Sequence, residues 1–582
     1  MTDREQNGEE QSGSSFKKPV HVFWYDEHGG KTTEEASAEA QAQPQAQSQA
    51  QSQAQGGNQA EAEGKIIFTE PPFEDAEQPI VGHYKQPKQQ PEKEVKPIPR
   101  QLDDVITKLE DDVGYKTSFD IVVREMTFGN KRTAFYFMNG FAKDTILTEV
   151  LKRLTYLESD SLSTDALHSF FSIYLPAIQV VEEQDWDNVM TNVLAGGTAM
   201  FIDGEAKAIL IDAKAFPARN PEEASLERVV RGSRDGFVET MLTNVTLVRR
   251  RLRDKKLRYE IMRVGDRTQT DICIAYIDDI VDKEMLKSIK DKINLIKLDG
   301  LPLGDKQLEE ATVKRGWNPY PLVRYSERPD TVAVNLLEGH IALFVDTTPS
   351  VMILPTTFFD LIQHAEENRQ TPFIGTYLRW VRFIGVLMSL FLLPLWFLFT
   401  LRPELKPAGL DFIGAQQAGR IPMVAQFLLA EFGVDLLRMA SIHTPSPLVT
   451  AMSLISAILI GDIAVKTGLF VNEVVLYMAI SAIGMFATPS YELGLANRIV
   501  RLMLIVTVAM FKVSGFMIAT TAFIVYLTLM RSFNRPYMWP LIPFDAKGLM
   551  SIFIRVPVLS NRTRPNLLKP QQRNRMPNDE HQ

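Results

Sequence analysis

Apolar residues run unbroken over Phe383–Leu401 (FIGVLMSLFLLPLWFLFTL), between Arg379 and Arg382 on one side and Arg402 on the other. About 20 apolar residues are needed to cross a ~30 Å hydrocarbon core, so this run predicts a bilayer-crossing helix. Three further apolar blocks follow at Thr444–Gly461, Val474–Tyr491 and Ile499–Met530, the last broken only by Arg501 and Lys512. Upstream, shorter periods alternate. Leu102–Leu109 has helical spacing, Asp120–Arg124 and Thr133–Met138 read as strands, and Lys143–Leu157 as an amphipathic helix. Leu257–Val264 and Asp271–Ile277 read as strands, and Lys283–Ile296 and Phe358–Gln370 as helices.

One pattern recurs. AMFIDGEAKAILID (199–212) aligns without gaps on ALFVDTTPSVMILP (342–355). Each copy has an apolar strand, an Asp, a short turn and a second apolar strand. In the first copy Asp203-Gly204 supplies a turn that tolerates positive φ. The repeat predicts two related α/β subdomains, with a chance likeness of two apolar hairpins as the alternative. The expected fold class is an α+β multidomain chain with a polytopic α-helical membrane domain. In order, it comprises a disordered low-complexity tail (1–100), cytosolic α/β subdomain 1 (101–215), a connecting basic helix (216–254) and cytosolic α/β subdomain 2 (255–375). A bundle of four to six transmembrane helices (376–535) and a basic cytosolic C-terminal tail (536–582) complete it.

Composition changes this picture in two places. The net charge of −8 hides a basic stretch from Arg531 to Arg575, whose one acid is Asp545. Basic residues just after a last span favour the cytoplasmic side, and a nucleic-acid partner is not expected. The Ala/Gln/Ser-rich run Ala36–Gln55 and the Pro-rich run Pro71–Arg100 have too little apolar surface to offset ordering. Cys273 is the single cysteine, which excludes an internal disulfide and fits a reducing compartment. No secretory signal pattern precedes the first span, so the N-terminal part is expected in the cytosol. Gly29-Gly30-Lys31-Thr32 lacks both the first glycine of a phosphate loop and a preceding strand, and is rejected as one.

Candidate chemistry falls in two groups. In RGSRDGFVETMLTNVTLVRRRLRD (231–254), Val238, Met241, Leu242, Val245, Val248 and Leu252 share one helical face, with Asp235 as a cap before them. Arg231, Arg234, Asp235, Glu239, Arg249, Arg250, Arg251 and Arg253 are candidates for a subunit interface or for contact with headgroups, against a solvated basic face as the alternative. Within the apolar blocks, ionisable groups are costly and invite a functional reading. Glu431, Asp435, Asp462, Glu473 and Lys512 are the candidates for an ion path, against an exposed loop for Asp462 and Glu473 and a snorkelling Lys512. Six spans, with a polar one near 412–437 and a split near Lys512, fit the positive-inside tendency better than four. A re-entrant or interfacial helix is the alternative for that polar segment. No HExxH or GxSxG motif is present, so no enzyme, metal or cofactor is expected.

The stretches RGSRDGFVETMLTNVTLVRRRLRD, YSERPD (325–330) and LEGHIALFVDTTPSVMILPTTFFDLIQHAEEN (337–368), followed by the first span, resemble the GerA family of spore germination proteins. The resemblance is to its A-type subunits and covers roughly 105–562. Ser233 and Asp235 stand where the germinant-sensing branch more usually has Pro and Glu, and the wording ERPD and DTTPS is more similar to the SpoVAF branch. The resemblance implies a protein of the inner membrane of a bacterial spore, with cytosolic domains and a membrane bundle. It further implies a homo-oligomer that conducts ions in germination, beside other spore-membrane germination proteins. A non-conducting scaffold or receptor subunit, or a secondary transporter, are the rival expectations.

Overall fold

The computed structural model describes residues 95–575 except 158–165, 176–178, 216–226, 314–315, 408, 410–413, 415–418, 444–462 and 558–559. The N-terminal low-complexity stretch and the apolar block Thr444–Gly461 lie outside the described residues.

Two modules share one order of strands. In the first, helix α1 (Leu102–Val113) precedes strands β1 (Ile121–Phe128) and β2 (Lys131–Met138) and helix α2 (Asp144–Thr155). Strand β3 (Val180–Glu183), helix α3 (Trp186–Leu194) and the hairpin β4 (Thr198–Ile202) and β5 (Ala208–Ile211) follow. The sheet runs β1-β2-β4-β5-β3, and every pairing is antiparallel. In the second module, α4 (Met241–Arg251) precedes β6 (Leu257–Val264), β7 (Thr270–Ile277), α5 (Lys283–Asn294) and α6 (Asp305–Thr312). Then come β8 (Arg324–Ser326), α7 (Pro329–Glu338), β9 (Ile341–Val345) and β10 (Val351–Leu354), in a sheet ordered β6-β7-β9-β10-β8. The two orders correspond strand for strand. Antiparallel pairing throughout makes each module α+β rather than a parallel α/β unit.

Strand alternation sends side chains to both faces of each sheet. Tyr136, Ala199, Phe201 and Leu210 meet α1 and α3, whereas Phe135, Met200, Ile202 and Ile209 meet α2. In the second module Tyr259, Ala275, Phe344 and Ile353 meet α4 and α7 on one face. The opposite face meets α5 and α6.

The aspartate repeated in the two hairpins has a physical role. Asp203 Oδ1 accepts the backbone N–H of Leu102 at 3.0 Å, and Asp346 Oδ1 accepts that of Met241 at 3.2 Å. Each hairpin therefore satisfies an orphan donor at the start of the helix that opens its own module. The turns use left-handed backbone, at Gly204 (φ 91°) and at Thr347 (φ 70°).

Two expected helices are corrected. The helix expected to open at Asp235 begins at Met241. Asn244 clamps the Val238 backbone from both sides, accepting its N–H at 2.8 Å and donating to its carbonyl at 2.5 Å, and Phe237 N donates to Glu327 O. Of Phe358–Gln370 only Ala365–Arg369 is helical. Thr357 and Asp360 close a turn on each other, and Phe358 N donates to Tyr537 O, so the apolar residues there are buried without a helix.

The modules meet at a buried ion pair. Arg249 Nε lies 2.8 Å from Asp120 Oδ2, both side chains 2% exposed, and the guanidinium also donates to Asp254 O and Leu257 O. Phe119 N donates to Tyr259 O and Tyr259 N to Ser118 Oγ, which covers the free edge of β6.

Among the described residues, the long helices that follow are α8 (Pro372–Leu401), α9 (Met423–His443), α10 (Asn472–Phe486) and α11 (Tyr491–Leu529). Among the described residues, α8 and α11 are long and apolar enough to cross a membrane. α11 is not straight, because Lys512 is non-helical (φ 53°, ψ −124°). Tyr320 donates to Asn497 Oδ1 at 2.9 Å while its ring stacks 5.8 Å from Phe523. In an unbroken helix those two residues would stand ~39 Å apart. The chain therefore turns back at Lys512 into a helical hairpin of 491–511 and 513–529. The six-span arrangement splits the chain at this same place.

The segment expected to be a basic tail is a packed arm. Helix α12 (Ala546–Phe553) lies against α8. Further on, Arg564 donates to Leu337 O, Gln571 to Asp278 O and Val281 O, and Arg575 pairs with Glu338 at 2.6 Å. Arg535, Arg564 and Arg575 are taken up by Asp282, Leu337 O and Glu338 of the second module.

Removing one member of a buried ion pair leaves an uncompensated charge. Asp120→Ala is expected to destabilise the protein by roughly 3–5 kcal/mol, and Asp120→Leu with Arg249→Met to recover most of it. Urea midpoints of the full-length protein in detergent would check both.

Candidate functional site

The core of the second module continues into the helices. Tyr320, Leu322, Val345 and Leu354 share one cluster with Leu493, Ala496, Leu527 and Tyr537. Polar struts cross the same seam. Lys306 Nζ, at the start of α6, lies 2.6 Å from Glu309 Oε2 and 2.9 Å from Glu492 Oε1, and Tyr325 donates to Glu309 Oε2 at 2.9 Å. At the base of α8, Arg379 lies 2.8 Å from Glu367, which is 1% exposed and is also paired with Arg382. Ser532 Oγ donates to Leu322 O and accepts Thr356 N.

A cavity of about 530 Å³ opens between the module and the helices. Glu227, Asp305, Arg324 and Tyr325 line it from the module, and Arg438 and Glu492 from the helices. The two motif loops are knitted together beside it. Arg328, 0% exposed, clasps Asp330 through Nε and Nη2 (3.0 and 2.8 Å) and donates to Glu227 O and Ser233 O. Arg251 binds Asp235 and Ser233, and Arg369 pairs with Asp330.

Deeper among the helices lies a buried charge cluster. Glu431 and Asp435 project from one face of α9, and Arg498 and Arg501 from one face of 491–511. Arg498 Nε is 2.8 Å from Glu431 Oε2, and Arg501 Nη2 is 2.6 Å from Glu431 Oε1. Both are close charge contacts rather than aligned hydrogen bonds. Arg498 also pairs with Asp435, as does Arg438 at 3.3 Å. Arg501 Nη1 donates to Ser389 O of α8 at 2.6 Å and to Ser481 Oγ of α10 at 2.7 Å. One guanidinium therefore joins four helices. α8 and α10 approach closely enough that a Cβ on Gly484 would overlap Gly385 O.

The structure places the remaining candidates apart from this cluster. Glu473 stands in the first turn of α10, Lys512 is exposed at the hairpin tip, and Asp462 lies outside the described residues. Arg249 and Arg251 are satisfied inside the chain, whereas Arg231, Arg234, Glu239, Arg250 and Arg253 are exposed. Sequence reasoning missed the partnership of Arg498 and Arg501 with α9. The signal was present: acids four apart on one apolar helix and arginines three apart on another.

A family model described as Bacillus/Clostridium GerA spore germination protein matches residues 107–567. The chain belongs to the GerA family. It is 44% identical over 465 residues to the Stage V sporulation protein AF of Bacillus subtilis (strain 168), spanning 80% of this chain and 94% of that one. It is 30% identical over 455 residues to the uncharacterized membrane protein YfkQ of the same organism, spanning 77% and 87%. A solved structure, the N-terminal domain of the A subunit of the Bacillus megaterium spore germinant receptor GerK3, is 24% identical. It covers 46% of this chain and 99% of its own length, with a TM-score of 0.36. Within this GerA chain the first two motif stretches meet at Ser233, whose carbonyl accepts Arg328, the partner of Asp330, and whose hydroxyl accepts Arg251.

His364 caps the short helix at the base of α8, accepting Glu366 N at 3.2 Å. Burial, with Arg382, Arg324 and Arg328 nearby, lowers its imidazole from 6.5 to about 4. The unfolded chain takes up a proton below pH ~6.5 that the folded protein refuses until about pH 4, so this contribution to stability falls across that window. Between about pH 7 and pH 4.5 the loss attributable to His364 is expected to be roughly 2–3 kcal/mol. His364→Asn, which keeps a capping acceptor, should lose less stability over the same range in urea unfolding.

Proposed function

We propose that this GerA-family protein is a subunit of a homo-oligomeric ion channel in the inner membrane of a bacterial spore, gated through its two modules in germination. The observation that supports it most is the Glu431–Arg498–Arg501 cluster. A fully buried carboxylate and two buried guanidiniums within apolar helices cost several kcal/mol to place, and such groups mark ion pathways more often than packing. In this reading α8 to α11 cross the bilayer as part of a six-span bundle, with the modules and the C-terminal arm in the cytosol. The path runs past Glu431 and Asp435, with Asp462, Glu473 and Lys512 as further lining candidates. The conformation described is closed, because both Glu431 oxygens are taken by arginines. Opening then requires 491–511 to slide or turn against α9. The exposed Arg231, Arg234, Glu239, Arg250 and Arg253 face other germination proteins, further copies of this chain, or lipid headgroups.

The neutralised carboxylates also favour a second reading, a scaffold or receptor subunit that organises partners and conducts nothing. Planar-bilayer recording of the purified full-length protein, with the particle size measured alongside, separates the two. The channel reading expects cation-selective current from an oligomer, with Glu431→Gln plus Asp435→Asn shifting selectivity toward anions as Arg498 and Arg501 lose their counter-charges. A silent bilayer over a well-formed oligomer, still silent after co-purified spore-membrane proteins are added, would sink the channel and leave the scaffold.

A further inference from the structure

The base of α8 carries an exposed apolar stripe that starts ahead of the long apolar run. Phe373, Tyr377, Trp380, Ile384 and Leu387 are all exposed, Phe373 by 84%. Spacings of four and three place them on one helical face. The stripe is thus continuous from the module end of α8 into the segment that begins at Phe383.

The C-terminal arm brings a second apolar surface to the same level. The Phe553 ring of α12 lies 5.5 Å from Trp380 and 4.9 Å from Phe383, and Arg379 Nη1 donates to Ser551 O at 2.7 Å. These contacts fix α12 at the depth where the apolar run starts. Its inner side is held by Trp539, since a Cβ on Gly548 would come 2.8 Å from that ring. What remains outward is mostly apolar: Leu541, Ile542, Phe544, Met550 and Ile554 are exposed, with the exposed Lys547 and Ser551 among them.

We propose that 541–554 is a membrane-docking platform, lying in the headgroup–acyl boundary of an anionic bilayer beside the module end of α8. Short amphipathic helices rest in that boundary with their apolar face buried ~5–10 Å, and aromatic residues concentrate at the same depth. The continuous stripe identifies lipid as the occupant, because the face that Ile384 and Leu387 present to the hydrocarbon is the face Trp380 and Tyr377 extend toward α12. Lys547 adds attraction to anionic headgroups. The platform anchors the arm that also binds Glu338 and Ile280, so it fixes the second module against the membrane surface.

The proposal rests on α8 crossing the bilayer, and the test separates the two. Nitroxide is attached to full-length protein at Phe544→Cys or, in a second variant, Met550→Cys, in vesicles of phosphatidylglycerol and phosphatidylethanolamine. Cys273 is 0% exposed and does not compete for label. Collisions with oxygen and with a water-soluble nickel complex are compared with those at Leu387→Cys and at the exposed Ile173→Cys. The platform predicts oxygen-favoured collisions at 544 and 550, as at 387, and nickel-favoured collisions at 173. Nickel-favoured collisions at 544 and 550 with an oxygen-favoured 387 overturn the platform alone. Protection from both agents with spin–spin broadening also overturns it, and assigns the face to a second copy. A nickel-favoured 387 overturns the bilayer-crossing reading itself.

Discussion

Glu431 is 1% exposed and surrounded by apolar helices, and a carboxylate there is tolerated only with cations against it. That requirement decides how the helices sit. Arg498 and Arg501 must face α9, so the rotation of 491–511 about its axis is set, and Arg501 then reaches Ser389 and Ser481 on the other two helices. A buried ion pair gains little net stability over a well-packed apolar pair, yet it penalises every arrangement that separates its members. Apolar helices slide past one another at small cost. A charge cluster supplies the register that dispersion alone does not.

The same device recurs at the other seams. Asp120–Arg249 stands where the two modules meet, and Glu367 with Arg379 and Arg382 where the second module becomes α8. Lys306 bridges Glu309 and Glu492 between α6 and 491–511. Within each module the opposite holds, and the faces of the sheets are filled by apolar side chains. Burial builds the parts and charge fixes their relation. The two modules also differ in one consequential way. The first keeps a core of its own, while one face of the second runs unbroken into the helices.

The hairpin repeat was legible because it carried two independent signals, period-two apolar strands and an Asp at a fixed place. The Asp proved to cap the helix opening each module, a long-range contact that no local pattern announces. Strands β3 and β8 escaped notice because they are four and three residues long, too short for a period to show. The expected helix at Asp235 failed because Asn244 and Glu327 offered the backbone other partners, and Asp235 itself pairs with Arg251. The C-terminal arm was misread for a related reason. Arginines such as Arg564 and Arg575, held by Leu337 O and Glu338 of a distant module, look in sequence like a solvated basic tail.

The arrangement along 491–511 gives mechanical coupling a concrete route. Glu492 is held by Lys306, Asn497 by Tyr320, Arg498 by Glu431 and Asp435, and Arg501 by Glu431 and two serines. These contacts fall within about two and a half turns of one helix, so the module grips its start and the buried cluster its middle. A helix is stiff over three turns, and a shift of α6 or Tyr320 by an ångström must move Arg498 by nearly as much or break the struts. Because Arg498 and Arg501 hold a carboxylate in a low-dielectric setting, small displacements there change the energy steeply. In the proposed channel, a modest movement of the second module would make or break this charge cluster, a two-state element rather than a graded one.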